Sequence, residues 1–193
     1  MKKRVVFNII IFIIVLISWL RMVFGYTNSE FMARGLASFK YFTILSNLFE
    51  AIACIIWIYN RNEKIKYIAA VSVTLTMMVT LLYLGPLFGY ALMFAGVNFW
   101  LHLFVPLLSL LEVLLWNNEK FTKKDNLLAC LPLIIYGLFY LGNNLINGKG
   151  NWPHTNDWYG FLMWGYPVGI IIFILLILFV YFIGFLIRKI KDI

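Results

Sequence analysis

Residues 41–59, with the sequence YFTILSNLFEAIACIIWIY, form an apolar run broken by a few polar side chains. The run has about the 20 residues that a helix needs to cross the roughly 30 Å hydrocarbon core of a bilayer. Thr43, Asn47 and Glu50 stand at positions i, i+4 and i+7, so a helix places them on one face. Because polar groups in hydrocarbon need a partner or a task, the run predicts a transmembrane helix whose polar face looks into a bundle.

Five further apolar runs have a similar length. Hydrophobic residues make up 63% of the chain and charged residues 12%, whereas charged residues usually make up about 25% of a soluble domain. None of the runs alternates as the strands of a membrane barrel do. We predict an all-α polytopic membrane protein, with one domain over residues 1–193 and six transmembrane helices in a bundle. Within a few residues, the other five helices are expected at 5–24, 67–84, 98–116, 127–146 and 168–187.

The basic residues predict the orientation of these helices. The net charge of +8 comes mainly from four short clusters, and an alternating path through six helices puts all four on one side. By the positive-inside rule that side is the cytoplasm, so we predict that both termini are cytoplasmic. Separate clusters do not form the continuous basic surface that binds nucleic acid, and we expect no such partner. The clusters are Lys2, Lys3 and Arg4; Arg61, Lys64 and Lys66; Lys120, Lys123 and Lys124; and Arg188, Lys189 and Lys191.

The chain lacks the motifs of several common enzyme classes. It contains no Gly-rich phosphate loop, no CxxC, no HExxH and no GxSxG. Its two histidines, His102 and His154, show no metal-ligand spacing, and Cys54 and Cys130 lie in apolar runs where a disulfide is not expected. We therefore expect no metal, no cofactor and no disulfide.

One level of the membrane collects polar residues from several helices. Each residue of a helix adds about 1.5 Å of depth, so alternating helix directions place Thr43 and His102 at similar depths near their outer ends. Arg21, Asn143 and Asn144 fall at the same level. We therefore predict a polar layer in the outer leaflet, with His102 facing Thr43 from another helix.

Each polar residue also has a structural alternative. The Thr43 hydroxyl can bond back to a backbone carbonyl, and His102 and Asn47 can hold neighbouring helices together. Glu50 can be protonated or paired with a cation such as Arg21, and Glu112 can stay hydrated near the cytoplasmic interface. We also interpret the stripe Thr76, Thr80 and Tyr83 as packing, and for the aromatic connection 147–167 we favour an interfacial belt over a lid above an outward site.

Two short motifs carry a family resemblance. Lys40-Tyr41-Phe42-Thr43-Ile44-Leu45-Ser46-Asn47 and Asn98-Phe99-Trp100-Leu101-His102-Leu103-Phe104-Val105-Pro106, together with six helices, resemble the bacterial Pr6Pr-type membrane proteins. More distantly they are similar to the androgen-induced gene and androgen-dependent TFPI-regulating protein family. That family hydrolyses fatty acid esters of hydroxy fatty acids with an intramembrane threonine and a histidine. The resemblance implies a multi-pass protein of the bacterial cytoplasmic (inner) membrane that acts on a lipid or fatty-acid ester.

The resemblance also implies residue roles. It makes Thr43 the nucleophile and His102 its general base. The family's pattern is Thr-x-x-Asn, but this chain has Ser46 where the family has the asparagine, and Asn47 is the next residue. No Asp is placed to complete a triad, so Asn47 or a backbone carbonyl is expected to orient the imidazole. Ser46 is the substitute nucleophile.

The remaining polar residues complete this hypothesis. Asn98, Asn143 and Asn144 are candidate donors to the oxyanion, and Arg21 and Lys40 are candidates for binding a substrate headgroup. The competing hypothesis is a membrane protein without enzymatic activity that binds or transports a lipid or small molecule.

Overall fold

Six long apolar helices make up most of the part of the chain that the structure describes, so the predicted all-α polytopic bundle is confirmed. The computed structural model describes residues 2–25, 35–117, 119–151 and 155–191. Each of the six helices is long and apolar enough to cross a membrane. They are α1 (Lys2–Val23), α2 (Phe42–Asn60), α3 (Glu63–Phe88), α4 (Val97–Trp116), α5 (Lys123–Asn147) and α6 (Tyr166–Lys191).

Local capping sets the ends of two helices beyond the apolar runs. The Asn62 side chain accepts a hydrogen bond from the Ile65 N–H at 3.0 Å, so α3 begins four residues before the predicted start. Thr122 and Asp125 form a capping box at the start of α5. These side chains satisfy N–H groups that would otherwise lack partners at a helix start.

Both ends of the described chain lie at one end of the bundle. Arg4 of α1 donates to the Trp116 carbonyl at 2.9 Å, and Lys191 of α6 donates to the Asn117 carbonyl. We call this end the terminal face, and the opposite end, which carries residues 35–40 and 155–165, the loop face. That the terminal face is cytoplasmic stays a prediction.

Helix α3 lies at the centre of the bundle. It contacts α2, α4, α5 and α6, and it is the most buried of the six spans. Near the loop face, α3 and α4 each contain one π-helical turn, at Thr80–Leu84 and Trp100–Phe104. Such turns insert a residue into the helix and often occur at functional sites, and His102 lies in the second one.

Candidate functional site

Thr43 and His102 meet inside the bundle near the loop face. The Thr43 Oγ1 lies 3.2 Å from the His102 Nε2, and the two side chains are 4% exposed. The structure therefore brings together, at hydrogen-bond distance, the two residues that the sequence places at one depth. Their catalytic role stays a prediction.

A backbone carbonyl fixes the tautomer of His102. The Nδ1 lies 2.8 Å from the carbonyl oxygen of Met93, and a carbonyl can only accept. The proton of the neutral ring therefore sits on Nδ1, which leaves a lone pair on Nε2 facing the Thr43 hydroxyl. A histidine in this tautomer can accept the threonine proton, as a general base must.

Tyr159 supplies a third polar group at the same place. Helix α2 has no side-chain cap of its own at Tyr41, and the phenol oxygen of Tyr159 accepts from the Phe42 N–H at 2.8 Å instead. Burial raises the pKa of Tyr159 to about 12, partly offset by hydrogen bonding to Thr43 and Phe42. The phenol therefore keeps its proton at neutral pH, next to Thr43 and at the positive end of the α2 dipole.

Polar contacts hold the loop that carries Tyr159 against the helix bundle. The Asp157 carboxylate accepts hydrogen bonds from the Tyr140 hydroxyl and from the Leu162 N–H, the latter at 3.0 Å. Gly169 lets Leu162 pack closely, since a Cβ there would come within 2.2 Å of the leucine Cδ2. The interpretation of this connection as an aromatic belt is wrong for Tyr159, which is buried, and fits Trp164, which is 57% exposed.

A small cavity adjoins Thr43. Its volume is ≈ 30 Å³, which is room for one or two water molecules. Thr76 and Thr80 line it, and their hydroxyls donate to carbonyls one turn earlier in α3, so the assignment of these two threonines to packing stays a prediction. The other lining residues are Phe42, Leu75, Val79, Leu84, Leu133, Tyr136, Tyr159, Phe161, Phe173 and Leu176.

Asn47 and Ser46 support the site without touching the imidazole. The Asn47 Nδ2 donates to the carbonyls of Thr43 at 2.7 Å and Leu101 at 3.0 Å, which ties α2 to α4. The Ser46 hydroxyl lies 2.9 Å from the Thr76 hydroxyl and donates to the Thr43 carbonyl. Asn47 therefore does not orient His102, and Ser46 has no base within hydrogen-bond distance among the residues that the structure describes.

The three asparagines proposed as oxyanion donors have other partners. The Asn98 Nδ2 donates to the Leu92 carbonyl at 3.4 Å and thus holds the segment that presents the Met93 carbonyl to His102. The Asn144 Nδ2 donates to two carbonyls, of Tyr140 and Asn156, so its amide has no N–H left to donate.

Asn143 is separate from the cavity. Its side-chain oxygen accepts from Asn147 at 2.9 Å, and it is not among the residues that line the space next to Thr43. The structure thus places Asn143 and Asn144 in the support of the loop face rather than at the threonine.

The two cations proposed for a headgroup differ in position. Arg21 is exposed in the last turn of α1, whereas Lys40 is half-buried and lies 5.2 Å and 5.3 Å from the ring centres of Tyr41 and Trp158. Burial lowers the pKa of Lys40. Lys40 is the better placed of the two, because Trp158 belongs to the same loop as Tyr159.

A second polar region, the ionic cluster of Arg4, Glu50, Glu63, Lys66 and Glu112, lies toward the terminal face. Arg4 contacts Glu112 and Glu63, each at 2.5 Å. Lys66 pairs with Glu50 and lies 3.4 Å from Glu112, and these three side chains are fully buried. Glu50 thus pairs with a cation, but with Lys66 rather than with Arg21, and Glu112 is fully buried rather than exposed at the interface.

The sequence signal for this cluster was present but ambiguous. Arg4 and Lys66 belong to the basic clusters that predict orientation, and each stands at the start of an apolar run, where a long side chain can reach either water or the bundle. Tyr159 was likewise visible only as one of several aromatic residues in a long connection. Neither the depth of a residue nor helix periodicity predicts whether such a side chain points to water or into the bundle.

Among the described residues, no group of three or more His, Cys, Asp or Glu is close enough to hold a metal ion, and Cys54 and Cys130 are free and buried. His154 lies outside the described residues. Comparison of the chain with protein-family models, with curated proteins and with solved structures gave no match.

Proposed function

We propose that the protein is an intramembrane hydrolase of lipid esters, such as fatty acid esters of hydroxy fatty acids, with Thr43 as nucleophile and His102 as general base. The observation that carries the proposal is the 3.2 Å contact between the Thr43 Oγ1 and a His102 Nε2 whose lone pair faces it. A threonine hydroxyl is a weak nucleophile at neutral pH and needs such a base. The resemblance of the two motifs to a family of threonine hydrolases adds support.

The reaction proceeds in two half-reactions. The Thr43 Oγ attacks the ester carbonyl carbon while its proton moves to the His102 Nε2. The tetrahedral intermediate collapses, the bond to the alcohol oxygen breaks, and His102 returns the proton to that oxygen. Water then attacks the acyl-threonine, His102 accepts its proton, and the proton passes to the Thr43 Oγ as the carboxylic acid leaves.

Tyr159 is the donor that best fits the oxyanion. Its oxygen accepts from the Phe42 N–H, and Tyr159 lines the cavity beside Thr43, so its O–H can donate to an oxyanion that forms there. A buried donor aimed at developing negative charge stabilises the transition state more than the ground state. Tyr159 therefore takes the place that the sequence hypothesis gave to Asn98, Asn143 and Asn144.

The position of Thr43 and His102 in the bundle indicates on which side of the membrane the substrate is hydrolysed. The site lies near the loop face, which we assign to the outer side of a bacterial cytoplasmic membrane. Lys40 lies at the same end and is available to an anionic headgroup, with the exposed Arg21 nearby in depth. An amphiphilic ester fits this arrangement better than a water-soluble substrate.

A fluorophosphonate probe and a panel of lipid esters test the proposal on purified protein. Wild type is expected to be labelled and to hydrolyse at least one ester, and Thr43→Ala is expected to lose both. His102→Ala is expected to lose most of both while it stays folded. Labelling that persists in Thr43→Ala would exclude Thr43 as the nucleophile.

The second candidate function is lipid binding or transport without hydrolysis. The ionic cluster favours it, because buried ionisable residues inside membrane spans often mark ion or proton pathways. Absence of labelling and of turnover for wild type, together with proton-dependent lipid uptake into proteoliposomes that the charge-neutral double variant Lys66→Met/Glu50→Gln abolishes, would establish this alternative.

A further inference from the structure

A long groove on the membrane-facing side of the bundle shares a wall with the cavity at Thr43. Its volume is ≈ 620 Å³, within the roughly 300–1,000 Å³ of typical ligand pockets. Helices α2 and α5 form its sides and Ile68 of α3 lies at its base. Only Ser46 and Tyr136 bring polar side-chain atoms to a lining that otherwise consists of apolar side chains.

The groove opens toward the hydrocarbon of the bilayer. Its rim on α5 carries Leu131, Ile135 and Phe139, which are 46%, 67% and 53% exposed within a membrane span. From Leu128 to Phe139 the lining extends over twelve residues of α5, or about 16 Å along the helix. That length is close to half of a hydrocarbon core about 30 Å thick, so the groove is long enough for one acyl chain of a lipid.

Two rings separate the groove from the cavity. Phe42 and Tyr136 line both spaces, and their ring centres are 5.2 Å apart. Tyr136 is anchored, because its hydroxyl donates to the Lys40 carbonyl and accepts from the Trp158 Nε1, both at 2.8 Å. The Phe42 side chain has no polar atom to hold it, so it is the part of the wall that can rotate.

The cavity itself cannot hold a lipid. Its ≈ 30 Å³ accommodates water but not a hydrocarbon chain. We propose that the groove is the binding site for one acyl chain of the lipid ester, which reaches the protein sideways from the bilayer, and that rotation of the Phe42 ring admits the ester group to Thr43. This inference rests on the proposed function and names the part of the substrate that the protein recognises: a long, unbranched hydrocarbon chain.

Filling the groove with a larger side chain tests the inference. Ile135→Trp narrows the groove, and Leu138→Trp is the matched control, since Leu138 is on the same helix and 69% exposed but does not line it. For an ester with a long acyl chain, Ile135→Trp is expected to lower kcat/KM by about tenfold or more, the scale on which a pocket responds to a few methylenes. For an acetyl or butyryl ester, neither variant is expected to change kcat/KM.

A second measurement does not require turnover. A long-chain ester that carries a photoactivatable diazirine on its acyl chain is added to Thr43→Ala in lipid nanodiscs, and the cross-linked peptides are mapped by mass spectrometry. Cross-links are expected within residues 128–139 and are expected to be lost in Ile135→Trp but kept in Leu138→Trp.

The outcomes separate the inference from the proposed function. Cross-links in the groove without any hydrolysis by wild type would keep the binding site and reject the hydrolase. Hydrolysis by wild type with cross-links elsewhere, or with long-chain and short-chain esters equally affected by Ile135→Trp, would overturn the groove and leave the hydrolase intact.

Discussion

The two polar regions of this protein solve the problem of burial in different ways. Near the loop face, Thr43, His102 and Tyr159 are neutral. Thr43 bonds to His102, His102 also bonds to the Met93 carbonyl, and Tyr159 accepts from the Phe42 N–H. Near the terminal face, the ionic cluster holds several charges in mutual contact. The first region therefore has lone pairs and protons available to a substrate, whereas the charged groups of the second region mainly pair with one another.

This difference has consequences for stability and for chemistry. Neutral groups that are hydrogen-bonded cost little to bury and leave reactive atoms accessible to a small cavity. Buried charges cost much more, and removal of one partner leaves an uncompensated charge in a medium of low dielectric constant. We therefore expect changes near Thr43 to affect mainly activity, and changes in the ionic cluster to affect mainly folding.

The largest effect is expected for the nucleophile. Thr43→Ala should lower kcat for lipid-ester hydrolysis by about 10⁴-fold, because only binding and oxyanion stabilisation remain. Its free energy of unfolding should fall by only about 1–2 kcal/mol, the effect of leaving the buried His102 Nε2 without a partner. Thr43→Ser, which keeps the Oγ, is the matched control and should retain turnover. Rates on purified protein and thermal unfolding check both statements, and an alanine variant as active as wild type would remove Thr43 from the mechanism.

The next largest effect is expected in the ionic cluster. Lys66→Met should lower the free energy of unfolding by about 3–5 kcal/mol, because it leaves the Glu50 carboxylate buried without its partner. The double variant Lys66→Met/Glu50→Gln should recover much of this loss. Denaturant unfolding and the specific activity of the folded fraction are the measurements. A single variant as stable as wild type, or a double variant less stable than the single one, would contradict the expectation that changes in the ionic cluster affect mainly folding.

A smaller effect is expected for Tyr159. Tyr159→Phe should lower kcat by about 10²–10³-fold with little change in KM, as for the loss of one oxyanion donor. Tyr166→Phe is the control, because the Tyr166 hydroxyl bonds to the Asn144 carbonyl instead. Since the pKa of Tyr159 is raised to about 12, its proton is lost only near that pH, and wild type should show no loss of activity from this group below about pH 10. Equal effects of the two substitutions on kcat would argue for a structural role.

The smallest effect is expected for Lys40. Lys40→Met should raise KM about threefold to tenfold for an ester with an anionic headgroup and leave KM for a neutral ester unchanged, since a half-buried charge contributes modestly. Because burial lowers the pKa of Lys40, the advantage of wild type should disappear as pH rises through a value below that of an ordinary lysine. KM measured against pH for both esters tests this, and the same rise in KM for the neutral ester would show that the charge is not responsible.

Much of the site follows from local pattern. The i, i+4, i+7 spacing of Thr43, Asn47 and Glu50 gave them one face, and the count of residues from each helix end gave Thr43 and His102 one depth. Both inferences need only helix geometry and a bilayer of known thickness. The structure then placed the two side chains in contact.

The sequence by itself determined the six membrane spans, the polar face of α2 and the level of the Thr43–His102 pair, because hydropathy and helix periodicity are properties of neighbouring residues along the chain. Only the tertiary structure decided which groups complete the site. The Met93 carbonyl, the Tyr159 phenol and the Lys66–Glu50 pair each join segments whose relative rotation and lateral order depend on how helices and loops pack. A long side chain at a helix end, such as Lys66, turns to water or to a buried carboxylate according to that packing alone.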